Sequence, residues 1–481
     1  MSNSSFSSRR WWVLVILALT QLVVVLDGTI VNIALPQAQR DLGLSDVERQ
    51  WVVTAYALAF GALLLLGGRI ADYWGRKRTY LVGMVGFGVA SVVGGIAQTG
   101  GELILARGLQ GVFAAMMAPA ALALLTVTFP GGRERNTAFA VFGAVAGAGA
   151  GVGLVLGGLL TEFVDWRWCL LVNVPIVIVG FVAGMLLVTE SRAEGENRYD
   201  WLGVITVALG LGSLVYGFTL AEASWVSIGT IGFIAGGMVL LGLFVWIESR
   251  VAQPLLPLRI VLDRVRGGAF LLQAIAGSVM IGATVYLTFH LQIVLGFTPL
   301  QAGLASLPLT VVISLVAPIA TRLLSRFGAR PLMIGGPLIA AAGLFLLSFI
   351  TVGGDYATQV LPALVLLGIG MAMLFVPMQN LALTGVAAHD AGAASATANA
   401  AMQIGGSLGL SIFTTAYAAA EGGAIVTGSA SQLAAFVEGY SAAFVAAGVA
   451  MLVGCLLAIV FIRTPRPEAS VTASETAAAI E

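Results

Sequence analysis

Charged residues are scarce in this 481-residue chain, where they make up 10% of the sequence. A soluble domain carries about 25% charged residues, so this chain cannot cover a water-exposed surface of its own size with ionic groups. Its 23 basic and 23 acidic residues balance to a formal net charge of zero, which favours no nucleic-acid partner. These shortages exclude a water-soluble enzyme, a nucleic-acid binder and a disordered scaffold.

Reactive and metal-binding side chains are equally scarce. The chain has two histidines and two cysteines, and Cys169 and Cys455 lie far apart within apolar runs. We therefore expect no disulfide framework and interpret each cysteine as a small hydrophobic side chain. No metal cluster, nucleotide-binding loop or catalytic triad is visible in the sequence. We expect no cofactor, no metal and no enzymatic activity.

Apolar residues are what the chain has in excess, at 59% of the sequence with a mean hydropathy of +1.00. Glycine, with 61 residues, reaches about 13% against a usual level of about 7%, a bias that suits closely packed membrane helices. We predict an all-α integral membrane protein. Its fourteen transmembrane helices, of about 20 residues each, are centred near Val23, Leu58, Val89, Ala115, Gly149, Ile178, Leu211, Met238, Ile281, Val311, Ala342, Gly368, Gly406 and Met451.

Basic residues predict the orientation of these helices. With a cytoplasmic N-terminus, 18 of the 23 basic residues fall in inner segments, and only Arg40, Arg49 and Arg167 fall in outer loops. The remaining two, Arg69 and Arg107, lie at or within helices. Cytoplasmic loops are rich in Lys and Arg, so both the N- and C-termini are predicted to be cytoplasmic.

Charged stretches near 189–200 and 248–266 divide the predicted helices into groups of six, two and six. A weak repeat supports this division, because Arg69 precedes Gly75 by the same six residues that separate Arg322 from Gly328. Six-helix halves related by repetition are typical of transporters. The predicted divisions are a cytoplasmic tail at 1–10, a six-helix bundle at 11–190, two accessory helices with flanking loops at 191–266, a second six-helix bundle at 267–464 and a disordered cytoplasmic tail at 465–481.

Two charges lie deep in predicted helices. Asp27 interrupts the apolar run of helix 1, where a carboxylate costs about 3 kcal/mol. At 1.5 Å per residue, Asp27 lies about 22 Å above the inner end of helix 1, and Arg107 about 7 Å below the outer end of helix 4. Both fall in the outer half of the membrane, a shared depth that permits a direct pair without establishing one. We interpret Asp27 as a proton or cation site, the alternative being a permanently paired structural aspartate.

Glycines and charges mark two places where conformational gating is expected. In the cytoplasmic loop from Gly68 to Arg78, Gly75 permits the turn, and Asp72 is expected to accept hydrogen bonds from amides at a helix N-terminus. A plain topology anchor is the alternative interpretation of this loop. Helix 5 carries glycines at every fourth position, which lets two backbones approach closely. A sliding contact that changes with conformation is the functional interpretation of these glycines, and plain helix packing is the alternative. Gating is assigned to Gly68, Asp72, Gly75, Arg76, Gly153, Gly157 and Gly158.

Several motifs resemble those of the fourteen-helix drug:proton antiporters of the major facilitator superfamily, over nearly the whole chain. The run LDGTIVNIALP, residues 26–36, looks like that family's highly specific helix 1 motif, and residues 68–78 are similar to its loop 2–3 motif. Arg107 with Gln110 and Gly111 matches the helix 4 motif, whose arginine the family links to proton transfer. Similar patterns occur at the start of helix 6 and in helix 13, at Trp166, Arg167, Trp168, Asn173, Val174 and Pro175, and at Gln403, Gly405, Gly406 and Gly409.

The sequence also departs from that family. Leu154 follows Gly153 where Gly-Pro is usual, and Met402 stands where a basic residue is common. Predicted helices 9–14 contain no acidic residue at depth, whereas several relatives that export dications carry such acids. Neutral or monocationic lipophilic substrates are therefore expected in preference to dicationic ones.

The resemblance implies a major facilitator fold and a proton-coupled multidrug or antibiotic exporter that works by alternating access in the bacterial inner membrane. The implied partners are a small lipophilic substrate, protons and the bilayer, with no nucleic acid and a monomeric protein. Proton coupling falls to Asp27 and Arg107. The substrate cavity, between helices 1, 4, 9 and 12, is assigned to Asn32, Gln110, Tyr286, Phe289, His290, Phe375, Met378 and Gln379.

The sequence is also compatible with two rival functions. One is an uncoupled facilitator or importer of a small metabolite, which a protonophore would distinguish from the exporter. The other is a membrane enzyme or receptor, against which the short loops and the lack of a reactive constellation argue. His290 itself, alone near a membrane interface, has a structural or solvated role as its alternative.

Overall fold

In the computed structural model the chain folds into long α-helices, and the structure describes residues 3–192, 200–221, 224–251, 254–386, 391–421 and 429–462. No strand occurs in these ranges. The fourteen long helices are α1 (Asn3–Leu42), α2 (Asp46–Trp74), α3 (Arg76–Gly95), α4 (Gly100–Thr128), α5 (Gly132–Phe163), α6 (Asn173–Leu187), α7 (Trp201–Ala221), α8 (Ile228–Glu248), α9 (Arg264–Phe289), α10 (Pro299–Phe327), α11 (Ala329–Leu347), α12 (Leu361–Leu383), α13 (Ala391–Glu421) and α14 (Ser429–Phe461).

Short helical pieces adjoin three of these helices. Trp168–Leu171 precedes α6 and Leu258–Val261 precedes α9. Turns of π-helix extend α9 at His290–Val294 and lead into α12 at Tyr356–Val360. All fourteen predicted centres fall in fourteen different long helices, whereas the predicted tail at 465–481 lies outside the described residues.

Thirteen of the helices are long and apolar enough to cross a membrane by length and composition. The fourteenth, α13, has 31 residues but is rich in Ala, Gly, Ser and Thr. It packs along α2, α9 and α14, so it belongs to the same helical body in spite of its weaker hydropathy. The predicted all-α membrane fold is confirmed, and the cytoplasmic placement of both termini stays a prediction.

The helices form two bundles joined by a hairpin. Helices α1–α6 pack mainly on one another, as do α9–α14, while α7 pairs with α8 and also contacts α2 and α13. The α7 contacts include the rings of Trp51 and Tyr216, 6.4 Å apart, and the Thr415 hydroxyl, which donates to the Phe218 carbonyl at 3.4 Å. The accessory hairpin thus lies across the seam between the bundles. The residue limits of the predicted divisions stay a prediction.

Turns at the two ends of the bundles are set by local sequence. We call the end where α1 finishes and α2 begins the Leu42 end, and the end where α2 finishes and α3 begins the basic end. At the Leu42 end, Ser45 and Thr298 form capping boxes that start α2 and α10. At the basic end, Gly75 and Gly328 take φ values of +123° and +77°, which glycine adopts without a steric cost. The predicted repeat is therefore visible in the turns before α3 and α11.

The bundles touch each other at the Leu42 end. The Gln50 side chain on α2 donates to the Ser411 hydroxyl on α13 at 2.6 Å, and the Leu300 amide donates to the Glu162 carboxylate at 3.0 Å. Farther towards the basic end, α5 and α10 diverge around a cavity of about 650 Å³ whose lining includes Gly147 and Thr310. Along this seam the protein is closed at the Leu42 end and parted towards the basic end.

Candidate functional site

Asp27 in α1 and Arg107 in α4 form a buried ion pair. Asp27 is 0% exposed and Arg107 is 1% exposed, and the Arg107 Nη1 atom lies 2.5 Å from the Asp27 Oδ2 atom. The shared depth calculated from the sequence left contact open, and the structure brings the two charges together. Charges so deeply buried in a membrane protein persist only when they are paired or hydrogen-bonded.

Two amides complete the shell around the Asp27 carboxylate. The side chains of Gln110 in α4 and Asn173 in α6 donate to the Asp27 Oδ1 atom at 2.9 Å and 2.8 Å. The carboxylate therefore accepts three hydrogen bonds, one of them from the guanidinium of Arg107. Gln110, which the sequence assigned to the substrate cavity, lies in this network and is itself fully buried.

Arg107 has partners other than Asp27. Its Nε atom donates to the Val52 carbonyl at 3.2 Å and its Nη1 atom donates to the Gln110 side-chain oxygen at 2.8 Å. The guanidinium carbon also lies 4.4 Å from the centre of the Tyr56 ring, a cation–π contact. Arg107 would therefore keep polar and aromatic partners if Asp27 were neutralised.

Three members of this network were missed by the sequence interpretation. Asn173 was noticed only as the start of helix 6, although a single amide within the apolar run 170–180 was a usable signal. Ser91, whose hydroxyl accepts from Gln110 at 2.9 Å, and Tyr56 carried no such signal. Together with Asp27 and Arg107 these residues join α1, α2, α3, α4 and α6.

The predicted cavity residues do not line one open cavity in this conformation. Tyr286, Phe289 and His290 are 2%, 1% and 1% exposed and pack among other aromatic rings. The remaining four differ in burial, with Asn32 and Met378 buried, Phe375 half-buried and Gln379 exposed. Their role in binding substrate stays a prediction.

Arg49 lies in a helix, whereas the sequence interpretation placed it in an outer loop. It lies in the first turn of α2 and is only 5% exposed. Its charge is tolerated there because the Asp46 carboxylate lies 2.7 Å away, and because its guanidinium lies over the rings of Phe289 and Tyr417 at 4.5 Å and 5.5 Å. Arg49, which the sequence interpretation counted among the residues of outer loops, thus contacts the second bundle from the first.

The loop at the basic end differs from expectation in one contact. Asp72 pairs with Arg76 of the same loop at 2.8 Å. The amides that start α3, those of Lys77 and Arg78, donate instead to the Glu190 carboxylate at 3.0 Å and 3.2 Å. Because α3 begins directly after the turn at Gly75, its free amides face the segment that follows α6. The predicted amide contact of Asp72 is wrong for this conformation.

Three glycines that the sequence also assigned to gating, Gly68, Gly153 and Gly157, lie in or beside close contacts between helices. Gly68 on α2 lies beside Pro119 of α4, where an added Cβ atom would find an ordinary contact at 3.7 Å. An added Cβ atom at Gly153 would crowd Thr29 of α1, and one at Gly157 would lie 2.9 Å from the Ile30 carbonyl oxygen. These α5 glycines therefore pack α5 against α1 within the first bundle. Their gating role stays a prediction.

Gly158 serves a different interface from its neighbour. A Cβ atom added there would lie 2.6 Å from the Cα atom of Leu300 and 2.8 Å from the Pro299 carbonyl oxygen, both at the start of α10. Backbone atoms cannot move aside as a flexible side chain does. Gly158 is thus one of the close backbone contacts between α5 and α10 towards the Leu42 end, together with Gly303 of α10, where an added Cβ atom would lie 2.4 Å from the Leu154 carbonyl oxygen.

We expect Gly158→Ala to lower transport about tenfold, because the added methyl group forces α5 and α10 apart and disfavours closure at the Leu42 end. The matched control is Gly143→Ala on the same helix, where an added Cβ atom meets no atom within 4 Å among the described residues. Both changes raise intrinsic helix propensity equally. Equal transport by the two variants in a vesicle assay would remove Gly158 from the closing contact.

No group of three or more His, Cys, Asp or Glu side chains among the described residues is arranged to hold a metal ion. Cys169 and Cys455 are both buried and free. The described polar residues of this site are a buried carboxylate, a guanidinium paired with it and amides that donate hydrogen bonds to it, within helices long and apolar enough to cross a membrane.

The sequence of this chain is similar to those of known membrane transporters. A sequence model described as the Major Facilitator Superfamily matches residues 17–410. The puromycin resistance protein pur8 of Streptomyces alboniger is 45% identical over 476 residues, covering 97% of this chain and 94% of that protein. The tetracenomycin C resistance and export protein of Streptomyces glaucescens is 35% identical over 412 residues, covering 85% and 76%.

A solved structure shares the fold. The crystal structure of a bacterial homolog of the human lysosomal transporter Spinster, inward-facing and unoccupied, matches with a TM-score of 0.68 at 16% identity, covering 97% of this chain and 100% of that one. The predicted major facilitator fold and a multi-pass location consistent with the bacterial inner membrane are confirmed. With relatives that are antibiotic resistance and export transporters, the chain belongs to the major facilitator superfamily.

Proposed function

We propose that this protein exports small lipophilic drugs or antibiotics in exchange for protons. The observation that carries the proposal is the fully buried Asp27 carboxylate, paired with Arg107 inside a bundle of membrane helices. Intramembrane ionisable residues of this kind mark proton relays and ion pathways in transporters. The named relatives, which resist or export antibiotics, support drugs as the cargo.

Proton binding at Asp27 would change the network around it in a definite way. A proton on Asp27 removes the charge attraction to Arg107, while Arg107 keeps its contacts with Val52, Gln110 and Tyr56. Neutralisation therefore leaves Arg107 without its counter-charge but with these neutral partners, and it loosens the tie between α1 and the other helices.

Helix α1, which proton binding at Asp27 would loosen, also contacts the second bundle. Ile33 lies six residues after Asp27 in α1, about 9 Å along the helix, and its carbonyl accepts from the Gln292 side chain of the second bundle at 2.9 Å. A shift of α1 at Asp27 would therefore be felt where the bundles close. Each proton that crosses about 100 mV supplies about 2.3 kcal/mol for a substrate gradient.

The proposed cargo is a neutral or monocationic lipophilic molecule held between the bundles near the predicted cavity residues. The described part of the second bundle places no acidic residue in the middle of α9–α14 that would match a second positive charge. The proposed working unit is a monomer.

A toxicity and dye-accumulation panel in an efflux-deficient bacterium expressing this chain tests the proposal. Puromycin is the first compound to include, because the 45% identical relative is named for resistance to it. We expect lower accumulation than in cells with an empty vector, and loss of that difference when a protonophore is added. Accumulation that is higher than in the empty-vector cells and unaffected by the protonophore would favour the uncoupled facilitator or importer, and no difference for any compound would contradict drug export.

Asp72 at the basic end is expected to act on conformational exchange. We predict that Asp72→Ala slows transport about tenfold and leaves substrate affinity within about threefold, because its only described ion pair, to Arg76, lies at the helix end. The control is Asp263→Ala, which removes a carboxylate paired with Arg266 at the same end of the second bundle. A large loss of affinity with unchanged turnover in reconstituted vesicles would contradict this role.

A further inference from the structure

Three tyrosine rings of the second bundle pack together at the Leu42 end, and Phe289 joins them through a shared contact with Arg49. Tyr286 and Phe289 come from α9, Tyr417 from α13 and Tyr440 from α14, and we call these four residues the aromatic cage. The Tyr417 ring centre lies 5.6 Å from that of Tyr286 and 5.5 Å from that of Tyr440, and all four residues are buried. Since every ring belongs to the same bundle, the aromatic cage moves as a unit when the bundles move.

The cation that contacts this cage comes from the other bundle. The Arg49 guanidinium of α2 lies over the Phe289 and Tyr417 rings, and its counter-charge is Asp46 on its own helix. On the second bundle, Glu421 of α13 lies close enough to interact electrostatically with Arg49 and with Tyr417. The cage thus already performs cation binding, with a side chain of the protein as the ligand.

We infer that the aromatic cage is an exit-side binding site for the positively charged group of a lipophilic monocation, a site that Arg49 fills whenever the Leu42 end is closed. The inference rests on the proposed alternating-access export. Opening the Leu42 end must separate α2 from the second bundle, which withdraws Arg49 and Asp46 together. The rings then face the opened path with Glu421 beside them, and such a set attracts ammonium, guanidinium or phosphonium groups through cation–π and charge interactions.

The site selects one charge and releases its cargo in one direction. Only Glu421 remains beside the rings among the described carboxylates of this cluster, so a single positive charge is matched. When the bundles close again, Arg49 returns to the rings and displaces the bound cation towards the opened side. Arg49 therefore acts as a competitor built into the chain, which prevents the cation from being carried back.

Two fluorescent or radiolabelled probes that differ in charge test the cage. Tetraphenylphosphonium is a lipophilic monocation, and Nile red is a neutral lipophilic dye. We expect Tyr417→Leu to lower proton-driven tetraphenylphosphonium efflux about tenfold, which is within the range of cation–π contacts, and to change Nile red efflux by less than twofold. Tyr417→Phe keeps the ring and should retain tetraphenylphosphonium efflux within twofold of the unmodified protein.

A matched control separates the cage from aromatic packing in general. Phe297 pairs with Tyr356 at the same end of the same bundle, with ring centres 6.0 Å apart, and lies outside the cage. Phe297→Leu should leave the efflux of both probes unchanged. Equal loss of both probes in Tyr417→Leu, with full activity in Phe297→Leu, would overturn the inference and give Tyr417 a structural role.

Removing the built-in competitor gives a second, independent readout. Arg49→Met keeps a long side chain without its charge, and we expect the purified protein to bind tetraphenylphosphonium about tenfold more tightly in equilibrium binding. Arg40→Met, which changes an exposed arginine at the end of α1, should leave this affinity unchanged. Unchanged or weaker binding by Arg49→Met would overturn the cage as a cation site.

Failure of the inference can be told from failure of the proposed function. If the unmodified protein exports neither probe, and no compound of the panel, the proposed exporter itself is wrong. If it exports Nile red in a proton-dependent way but does not export or bind tetraphenylphosphonium, export stands and the aromatic cage is overturned.

Discussion

Proton-driven efflux is expected to fall to the level of vesicles without the protein when Asp27 is replaced by asparagine. Asparagine has nearly the same shape and keeps an oxygen that can accept from Gln110 and Asn173, so the helices should still insert, with the lower stability that follows from losing the ion pair to Arg107. It cannot take up and release a proton, which removes the proposed coupling step. The measurement is substrate uptake into inside-out vesicles driven by an imposed pH gradient, at matched protein levels.

The control for this substitution is Asp41→Asn on the same helix. Asp41 is also paired with an arginine, Arg167 at 2.8 Å, but its side chain is 49% exposed at the Leu42 end. Losing this pair should leave proton-driven uptake within about twofold of the unmodified protein, since exposed ion pairs contribute about 0–1 kcal/mol. Unmodified uptake rates in Asp27→Asn, at normal expression, would remove Asp27 from the mechanism.

Arg107 and Asp27 are expected to be strongly coupled in a double-mutant cycle of stability. Arg107→Gln leaves a buried carboxylate without its cation, and Asp27→Asn leaves a buried cation without its carboxylate. Breaking a buried pair in this way costs about 3–5 kcal/mol. The double variant should be more stable than the less stable single variant, while transport stays lost in all three.

The cycle is measured by unfolding of the purified protein in detergent, with folded yield as a second readout. The same cycle on Arg167 and Asp41 serves as the exposed reference pair, for which the coupling should be about 0–1 kcal/mol. Additive effects of the two buried substitutions would mean that the charges do not stabilise each other, despite the 2.5 Å that separates their atoms.

The sequence alone determined the membrane class and the helix count, and it predicted a shared depth for the two charges. Hydropathy is a property of about 20 consecutive residues, so each of the fourteen spans could be located without knowing its neighbours. Even α13, which is absent from the helices that meet a strict hydropathy criterion, was counted among the fourteen apolar segments of the sequence. The depth of Asp27 and Arg107 followed from a constant helical rise and a known membrane thickness.

Only the tertiary structure decided which polar groups meet. Asp27 is 80 residues from Arg107 and 146 from Asn173, and no local pattern states which faces of α1, α4 and α6 point towards one another. Arg49 shows the same limit. A charged side chain in the first turn of a helix is expected to face water or lipid headgroups, and only the tertiary structure shows that this one contacts an aromatic ring of the other bundle. Burial of a polar side chain depends on partners distant in sequence, and those partners are chosen by how whole helices pack.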